Sequence, residues 1–432
     1  MKKILFLLVL LPMLCFSQSV KGNFSPAEEF TYAFLYKANP NGADYVGRAK
    51  LDSLGHFEIP IDTSMAPGIY KIVYAIPPEE NNFDFIYNGK EDVVVNFDIE
   101  NGVDFKASME NKLWSSYQKS MDVINQTISN YYKKGGDDKA GFADIIKTLD
   151  DAQRQYEEAS KGTLAATFIS SNTPYLPKGY EDISTYSQNL KAHYLKPVDF
   201  NNTLLQSSTF IQDRIITYVF GFNPSDDTET YKKHIDDVAV AIGDIDTTFK
   251  VQLFYMLWNN FVNTDNETIA NYITDTYLFA LAKDTAPEMA QSILAFKNTS
   301  TGQKAPDFEI TNHPTAQKLS ELSGADHYIL IFWSSTCGHC LKELPEVKTL
   351  VANKANIKVI AYGIEEEKAN WEKEIRNYPD FIHTIGLDKW NNPNVKAYGI
   401  SGTPTYFILD KDKTIISKPY ELKDLKEALD KL

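Results

Sequence analysis

The feature that most restricts the fold is a pair of cysteines separated by two residues, placed where a predicted strand gives way to a helix. Cys337, Gly338, His339 and Cys340 follow an apolar run over residues 328–333, and residues 338–352 have helical spacing. The first sulfur then lies near the free N–H groups and the positive end of the helix dipole, which favours thiolate over thiol. We therefore predict that Cys337 is the attacking nucleophile and Cys340 the resolving thiol.

His339 stands between the two cysteines and bears on their redox balance. A charged imidazole there would stabilise the Cys337 thiolate and favour the reduced form, so His339 should make the pair more oxidising. Two intervening residues do not fix the potential, because oxidoreductases of this kind span about 150 mV with contributions from the wider site. The direction of electron flow stays open at this point.

Other uses of a lone Cys-x-x-Cys pair have less support. Half of a zinc site would need further Cys or His ligands, and the remaining histidines lack ligand spacing: His56, His193, His234, His313, His327 and His383. A purely structural disulfide would close too short a loop to constrain the unfolded chain much. A peroxidase is a further alternative, because Ala305-Pro306-Asp307-Phe308 also opens peroxiredoxin-type domains, but Leu330 and Ser334 stand where that motif has Pro and Thr.

Length and composition indicate several folded domains. A chain of 432 residues exceeds the size at which one hydrophobic core stops growing. Its 43% hydrophobic and 23% charged residues lie in the globular range. The formal net charge of −15 argues against nucleic-acid binding, which needs clustered Lys and Arg.

The first residues are typical of a secretory signal. Lys2 and Lys3 precede an apolar run over residues 4–16, which is shorter than the roughly 20 residues that span a bilayer, and Ser17-Gln18 offers a cleavage point. We predict a signal peptide over 1–17 and export from the cytoplasm. Lipid anchoring at Cys15 is not expected, because Pro12-Met13-Leu14 lacks the usual small residue before a modified cysteine. Removal of this segment would leave only Cys337 and Cys340, a closely spaced pair that is better suited to a redox reaction than to a structural cross-link.

The remaining sequence divides into three patterns, which predict a multidomain α+β protein. Short runs rich in Val, Ile, Tyr and Phe predict a β-sandwich over 19–107, and apolar spacing of three and four predicts a helical domain over 108–300. Strands alternate with amphipathic helices over 302–432, which favours an α/β layer fold. The elements predicted there are 328–333, 338–352, 357–364, 366–377, 405–410 and 421–432.

Residues 302–432 resemble the TlpA/ResA-like extracytoplasmic thiol–disulfide oxidoreductases of the thioredoxin superfamily. The resemblance rests on Ala305-Pro306-Asp307-Phe308, the stretch 332–340, Glu343-Leu344-Pro345 and Gly402-Thr403-Pro404-Thr405. It covers about 30% of the chain. The tetrapeptide between and including the cysteines is itself similar to that of protein disulfide isomerases.

The resemblance implies a thioredoxin-like central sheet with flanking helices and a set of residues around the cysteines. Trp333 should pack beside the redox pair, and Thr403–Pro404 should be joined by a cis peptide bond opposite Cys337. Together with Gly338, these residues are expected to form the substrate groove. Without the family, a trans proline opening a strand would be the expectation.

The resemblance also points to an acid that could move the proton of Cys340. Thioredoxin carries a buried aspartate six positions before its first active-site cysteine, but here that position is Ile331. Glu343, three residues after Cys340, matches a glutamate that TlpA/ResA-like proteins have there, and would relay the proton. The alternative is a solvated glutamate on the helix surface.

Residues 19–300 resemble the N-terminal regions that precede thioredoxin domains in exported Bacteroidetes proteins. This similarity is architectural and implies no residue roles. The ending Phe16-Ser17-Gln18 of the signal is also similar to signals of that phylum. The two likenesses imply that the mature protein lies in a Gram-negative periplasm.

From these observations we expect a periplasmic enzyme that reduces disulfides in exported proteins and receives electrons from a membrane thiol–disulfide carrier. It would need no metal or cofactor beyond the redox-active disulfide Cys337–Cys340. Isomerase or oxidase activity is the alternative, for which the extra domains could supply homodimerisation. A third interpretation makes the first 300 residues a peptide- or glycan-binding module with an incidental redox domain, although the presence of both cysteines, Trp333 and Pro404 argues against it.

Overall fold

The computed structural model describes residues 18–62, 64–311 and 316–432. The predicted signal peptide over 1–17 and His313 lie outside the described residues. The chain divides into two compact units, one ending at Phe249 and one running from Lys250 to Leu432. The domain boundaries near 107 and 301 remain predictions. In the described ranges, we find no helix with both the length and the apolar character needed to cross a membrane.

The first unit begins with strands that form two four-stranded sheets. The strands are β1 Gln18–Ser25, β2 Tyr32–Asn39, β3 Gly42–Lys50, β4 His56–Ile61, β5 Gly68–Val73, β6 Asn82–Tyr87, β7 Val93–Asp98 and β8 Gly102–Ala107. Their orders are β4-β1-β7-β8 and β3-β2-β5-β6. Strand β1 runs parallel to β7, and the other neighbouring strands are antiparallel.

The predicted β-sandwich is confirmed by a single core between these sheets. In β4, Phe57, Ile59 and Ile61 are buried and alternate with exposed neighbours, as expected for a strand with one face inside. Phe24 of β1 is fully buried and packs edge-on or tilted against five aromatic rings from strands of both sheets and the residues next to them: Phe30, Phe57, Tyr74, Phe83 and Phe97. The core is therefore held largely by aromatic packing.

Helices follow the sandwich, as the change of period predicts. They are α1 Met109–Lys133, α2 Lys139–Ala159, α3 Ala165–Ser171, α4 Ile183–Tyr194, α5 Thr203–Gln206, α6 Phe210–Ile216 and α7 Thr228–Ile242. In α1, Tyr117, Met121, Ile124 and Ile128 are buried at spacings of three and four residues. Helix α1 begins where the Ser108 side chain accepts a hydrogen bond from the Asn111 N–H.

Four further helices belong mainly to the second unit: α8 Thr247–Asn263, α9 Glu267–Ile273, α10 Phe279–Thr285 and α11 Pro287–Asn298. Apolar residues over 251–277 are spaced by three and four, as in one continuous helix, but the chain turns between α8 and α9. Asp265 there has a φ of 55°, in the left-handed region that Asp tolerates better than most residues. The side chain of Asn266 accepts the Ile269 N–H at 3.1 Å and starts α9.

The C-terminal part of the second unit is a five-stranded sheet in the order β11-β10-β9-β12-β13. The strands are β9 His327–Trp333, β10 Ile357–Ile364, β11 Ile382–Gly386, β12 Thr405–Asp410 and β13 Ile415–Ser417, and the helices are α12 Gly338–Val351, α13 Lys368–Glu374, α14 Pro393–Ala397 and α15 Leu422–Leu429. Strand β10 runs parallel to β9 and β11, whereas β12 is antiparallel to β9 and β13. The predicted thioredoxin-like layer fold is confirmed.

The central strand β9 is buried on both faces, which explains its unbroken apolar run. Tyr328, Leu330 and Phe332 pack into the core on one side of the sheet. Ile329, Ile331 and Trp333 pack into the core on the other side, which also contains Cys340. The strand therefore fixes which face of the sheet meets the redox helix.

Candidate active site

The two cysteines lie at the start of α12, immediately after the loop that follows β9. Cys337 is the N-cap residue of this helix, and its Sγ accepts a hydrogen bond from the Cys340 N–H at 3.2 Å. The sulfur of Cys337 thus satisfies a backbone donor that would otherwise lack a partner within the helix. This arrangement stabilises negative charge on Cys337.

The two thiols have opposite environments. Cys337 is half-buried, whereas Cys340 is fully buried. Desolvation raises the pKa of Cys337, but hydrogen bonds with the side chains of Cys340 and Thr403 and with the backbone N–H groups of Cys340 and His339 together outweigh it, so the pKa of Cys337 lies below its usual value. Burial, reinforced by the neighbouring Cys337 sulfur, raises the pKa of Cys340 to about 12. One thiol is suited to attack and the other is held protonated.

The loop before β12 approaches the cysteines from the other side. The Thr403–Pro404 peptide bond is cis, as the family resemblance implies. The Cys337 thiol donates to the carbonyl oxygen of Thr403 at 3.4 Å. Thr403 and Pro404 therefore lie directly beside the sulfur of Cys337.

Glu343 links two side chains near the redox helix, those of His339 and Tyr406. Its Oε1 lies 3.2 Å from His339 Nε2, one helical turn earlier, and its Oε2 accepts the hydroxyl proton of Tyr406. The Glu343 side chain is 16% exposed, whereas that of His339 is 75% exposed. Glu343 is therefore not a freely solvated surface residue. The imidazole of His339 pairs with Glu343, and His339 reaches Cys337 through its backbone N–H.

Tyr406 was not predicted from the sequence. It is buried on β12, and its pKa is raised by that burial and further by the Glu343 carboxylate and the two cysteine sulfurs. Tyr406 therefore stays a neutral hydroxyl that donates to Glu343. No local pattern pairs these residues, which are 63 positions apart.

Trp333 requires a correction. It packs beside the redox pair as predicted, in the core that contains Cys340 and Leu344, but its side chain is fully buried. A fully buried side chain cannot line a substrate groove. Trp333 is buried because it is the last residue of β9 and lies on the face of the sheet that packs against α12. Gly338, the other expected groove residue of this segment, is exposed as the first residue of α12.

Glu365 is a second residue that sequence analysis missed. It follows β10 directly, is 2% exposed, and its Oε1 accepts the Ser335 N–H in the loop before Cys337. Its Oε2 accepts the Ser334 hydroxyl at 3.4 Å. Glu365 therefore holds the loop that positions Cys337. The sequence could have indicated this residue, because Glu365 is acidic and stands at the carboxyl end of a buried parallel strand. That strand neighbours β9, which leads into the cysteine pair.

Four of the predicted site residues border one open groove next to the cysteine pair. His339, Glu343, Thr403 and Pro404 all line a groove of about 1660 Å³ within the second unit. In the described part of the chain, no group of three or more His, Cys, Asp or Glu side chains is arranged to hold a metal ion. The groove therefore brings the predicted proton carrier and the cis-proline loop to the same surface.

Comparison with known proteins agrees with this geometry. The Redoxin family model matches residues 300–431. The thiol–disulfide oxidoreductase ResA of Geobacillus thermodenitrificans is 28% identical over 145 residues, covering 30% of this chain and 77% of that protein. ResA of Bacillus thuringiensis subsp. konkukian is 28% identical over 120 residues, covering 27% of this chain and 68% of that protein.

These matches cover the segment that carries the contrasting thiols. The C-terminal domain is TlpA/ResA-like. It is similar to proteins of the thioredoxin superfamily, and the chain is a thiol–disulfide oxidoreductase.

Solved structures give matches that cover about a third of the chain. The thioredoxin domain of a thiol–disulfide oxidoreductase from Bacteroides vulgatus is 22% identical, with a TM-score of 0.27, covering 31% of this chain and 96% of that one. A thiol:disulfide interchange protein from Bacteroides sp. is 22% identical, with a TM-score of 0.26, covering 31% and 91%. At TM-scores below 0.5 these likenesses add nothing to the assignment of the TlpA/ResA-like domain.

Proposed function

We propose that this chain is a periplasmic reductase of disulfides in exported proteins, with Cys337 as nucleophile and Cys340 as resolving thiol. The observation that carries the proposal is the contrast between the thiols. Cys337 is accessible and has a lowered pKa, whereas Cys340 is buried and has a pKa of about 12. Such a pair attacks with one sulfur and keeps the other protonated until it is needed.

The reaction is two consecutive thiol–disulfide exchanges. The Cys337 thiolate attacks one sulfur of a substrate disulfide, that S–S bond breaks, and the released substrate thiolate takes up a proton. Cys340 then loses its proton and attacks the Sγ of Cys337, which releases the second substrate thiol and forms the Cys337–Cys340 disulfide. Two electrons pass from the enzyme to the substrate, and no further cofactor is required.

Glu343 is the proposed acceptor of the Cys340 proton. It lies one turn further along the same helix, in a mostly buried position, and Tyr406 and His339 hold both carboxylate oxygens. These hydrogen bonds orient the carboxylate without adding a second negative group. His339 is 75% exposed and can exchange protons with solvent, which would return Glu343 to its ionised form.

The location and partners of the enzyme belong to this proposal. A basic and then apolar start over 1–17 supports export, and the similarity to ResA supports a reducing role outside the cytoplasm. Because each turnover leaves the Cys337–Cys340 disulfide, a thiol donor must restore the dithiol. We propose a membrane thiol–disulfide carrier as that donor.

The reduction potential of the Cys337–Cys340 pair tests the direction of the reaction. The mature protein would be equilibrated in dithiothreitol or glutathione buffers of known ratio and the thiols counted by alkylation. A reductase should have a potential near or below about −250 mV, whereas a value near about −180 mV or higher would support isomerase or oxidase activity instead.

A trapping experiment tests whether proteins are the substrates. The Cys340→Ala variant cannot resolve the first exchange, so it should retain exported proteins as mixed disulfides on Cys337. A Cys337→Ser variant is the control and should retain none. If the Cys340→Ala variant retained no protein as a mixed disulfide, exchange with proteins would be contradicted. Partner capture unchanged by Cys337→Ser would instead favour a binding module with an incidental redox domain.

A further inference from the structure

The groove at the redox site extends well beyond the thioredoxin-like domain. Besides the cysteine-proximal residues, it is lined by the turn from Val262 to Asn271, which joins α8 to α9, and by the segment from Ile416 to Glu421, which leads from β13 into α15. Both walls lie in the second compact unit. Small-molecule pockets are usually about 300–1000 Å³, so a groove of about 1660 Å³ is better suited to a polypeptide segment.

The two walls are bonded to one another. Lys418 Nζ lies 2.7 Å from Glu267 Oε1, and the ammonium also sits 4.8 Å from the centre of the Phe296 ring. The other carboxylate oxygen of Glu267 accepts the Thr301 N–H at 2.7 Å. These side chains are largely buried for an ion pair, at 28% and 23% exposure. The groove is therefore preorganised, which lowers the ordering cost of binding.

The groove carries an excess of negative charge. Four carboxylates line it, from Asp265, Glu267, Glu343 and Glu421, and its basic side chains are Lys418 and His339. Lys418 pairs with Glu267, and His339 pairs with Glu343. Among the residues that the structure describes, Asp265 and Glu421 have no basic partner within ion-pair distance. The net charge of −15 on the whole chain has the same sign and attracts cationic partners over longer distances.

An aromatic side chain stands at the rim of the same groove. Tyr420 is 92% exposed and follows Pro419 in the wall that leads to α15. Exposed tyrosines supply rigid contact area with little loss of side-chain freedom and are enriched at binding hot spots. Tyr420 can therefore contact a bound segment while Asp265 and Glu421 contact its charges.

We propose that this groove binds the segment flanking the target cysteine of a positively charged polypeptide, with Asp265, Glu421 and Tyr420 as the residues that select it. This proposal rests on the proposed disulfide exchange at Cys337 and names the class of substrate that the site prefers. The selecting residues lie on the helix turn and on the segment before α15, outside the cysteine motif.

The test uses pre-reduced mature protein and three probes in which a single cysteine is joined to thionitrobenzoate by a disulfide. Two probes are peptides of equal length with lysines or glutamates flanking the cysteine, and the third is the corresponding mercaptoethanol compound. Cys337 attacks the cysteine sulfur, thionitrobenzoate leaves as a coloured thiolate, and Cys340 then displaces the peptide thiol. The low pKa of the leaving group drives the attack, so the result does not depend on the potential of the enzyme.

The readout is the ratio of second-order rate constants for the lysine and glutamate peptides, each normalised to the mercaptoethanol probe. Wild-type protein should prefer the lysine peptide, and the double variant Asp265→Asn/Glu421→Gln should reduce that ratio by about 3- to 10-fold at low salt. Glu421 is the N-cap residue of α15, and its side chain accepts the Asp424 N–H. The amides keep an oxygen for this cap and suit the left-handed backbone at residue 265. The preference should also shrink as ionic strength rises. Tyr420→Ala should slow both peptides relative to the mercaptoethanol probe.

A matched control separates groove charge from total charge. Asp284→Asn/Glu372→Gln also removes two negative charges from the second unit but does not touch the groove, and it should leave the ratio unchanged. A ratio in the groove variant equal to that in the control would overturn the groove proposal while leaving the exchange chemistry intact. Failure of wild-type protein to release thionitrobenzoate from any probe would overturn the proposed function as well.

Discussion

The turn before β4 of the sandwich and the cysteine-bearing edge of the C-terminal sheet use their polar groups differently. In the turn the bonds are local: Asp52 Oδ1 accepts the N–H groups of Leu54 and His56, both at 2.9 Å. At the cysteine-bearing edge they join distant segments, from Ser335 to Glu365 and from Cys337 to Thr403. The reactive site therefore depends on bonds that bring together groups far apart along the chain.

The largest expected effect concerns the two thiols at the functional sheet edge. A free cysteine has a pKa of about 8.5, and the thiolate fraction falls about tenfold for each pH unit below the pKa. With the pKa of Cys337 lowered and that of Cys340 at about 12, iodoacetamide should label Cys337 more than about 10³-fold faster at pH 7. Mass spectrometry of the reduced protein measures both rates. After unfolding in guanidinium chloride, the two cysteines should be labelled at equal rates, which serves as the control. Equal rates in the folded protein would contradict the predicted difference between the two thiols.

A core substitution in the sandwich should have the next largest effect. Phe24→Ala removes a fully buried ring that contacts five others and should destabilise the sandwich by about 3–5 kcal/mol. Hydrogen exchange in peptides from residues 18–107 would report the loss of protection. The Cys337 labelling rate should stay unchanged, because the contacts of Phe24 lie within the sandwich core. A parallel loss of thiol reactivity would show that the two regions are energetically coupled.

Glu365 and its neighbour Glu366 provide a matched pair in the C-terminal sheet. Glu365→Ala leaves the buried Ser335 N–H without an acceptor, which should cost about 1–3 kcal/mol and slow exchange at Cys337. Glu366→Ala removes a side chain that is 72% exposed and should change stability by about 0.5 kcal/mol or less. Labelling of the buried Cys340 in increasing urea reports unfolding of this region. Similar results for the two variants would mean that the Glu365 contact does not hold the loop.

The smallest effect is expected at a local turn of the sandwich. Asp52→Ala removes the acceptor of two backbone N–H groups, but Asp52 is exposed, so water replaces the lost bonds. The free energy of unfolding should fall by about 0.5 kcal/mol or less, as measured by urea denaturation followed by hydrogen exchange. A loss as large as that of Glu365→Ala would contradict the distinction between local and long-range bonding.

The sequence predicts most of this fold because the strongly periodic segments form the elements that they favour. The strand over 328–333 and the helix starting at Gly338 are both present, and so is the sandwich. The short edge strands Ile382–Gly386 and Ile415–Ser417 were missed, since a few residues carry little periodic signal. The turn at Asp265 was also missed, because one residue in the left-handed region interrupts an otherwise continuous helical pattern.

The candidate site was predicted only in part, for a different physical reason. The cysteines and the cis-proline segment belong to local motifs, so the sequence and the family resemblance identify them. Burial of Trp333 could not be deduced, because both faces of β9 are apolar and the run carries no sign of which face meets the groove. The contacts of Glu365 and Tyr406 depend on strand order and register. These bring Glu365 to Ser335, 30 positions earlier in the chain, and Tyr406 to Glu343, 63 positions earlier.

The complete burial of Cys340 has a consequence for the response of the enzyme to peroxide. Peroxide can reach the accessible Cys337 and convert its thiolate to a sulfenic acid, whereas Cys340 is shielded by the core around Trp333 and Leu344. The protonated Cys340 next to it can condense with that sulfenic acid, giving the Cys337–Cys340 disulfide and one molecule of water. An oxidative lesion is thereby returned to the ordinary oxidised form of the enzyme before it can proceed to the irreversible sulfinic acid.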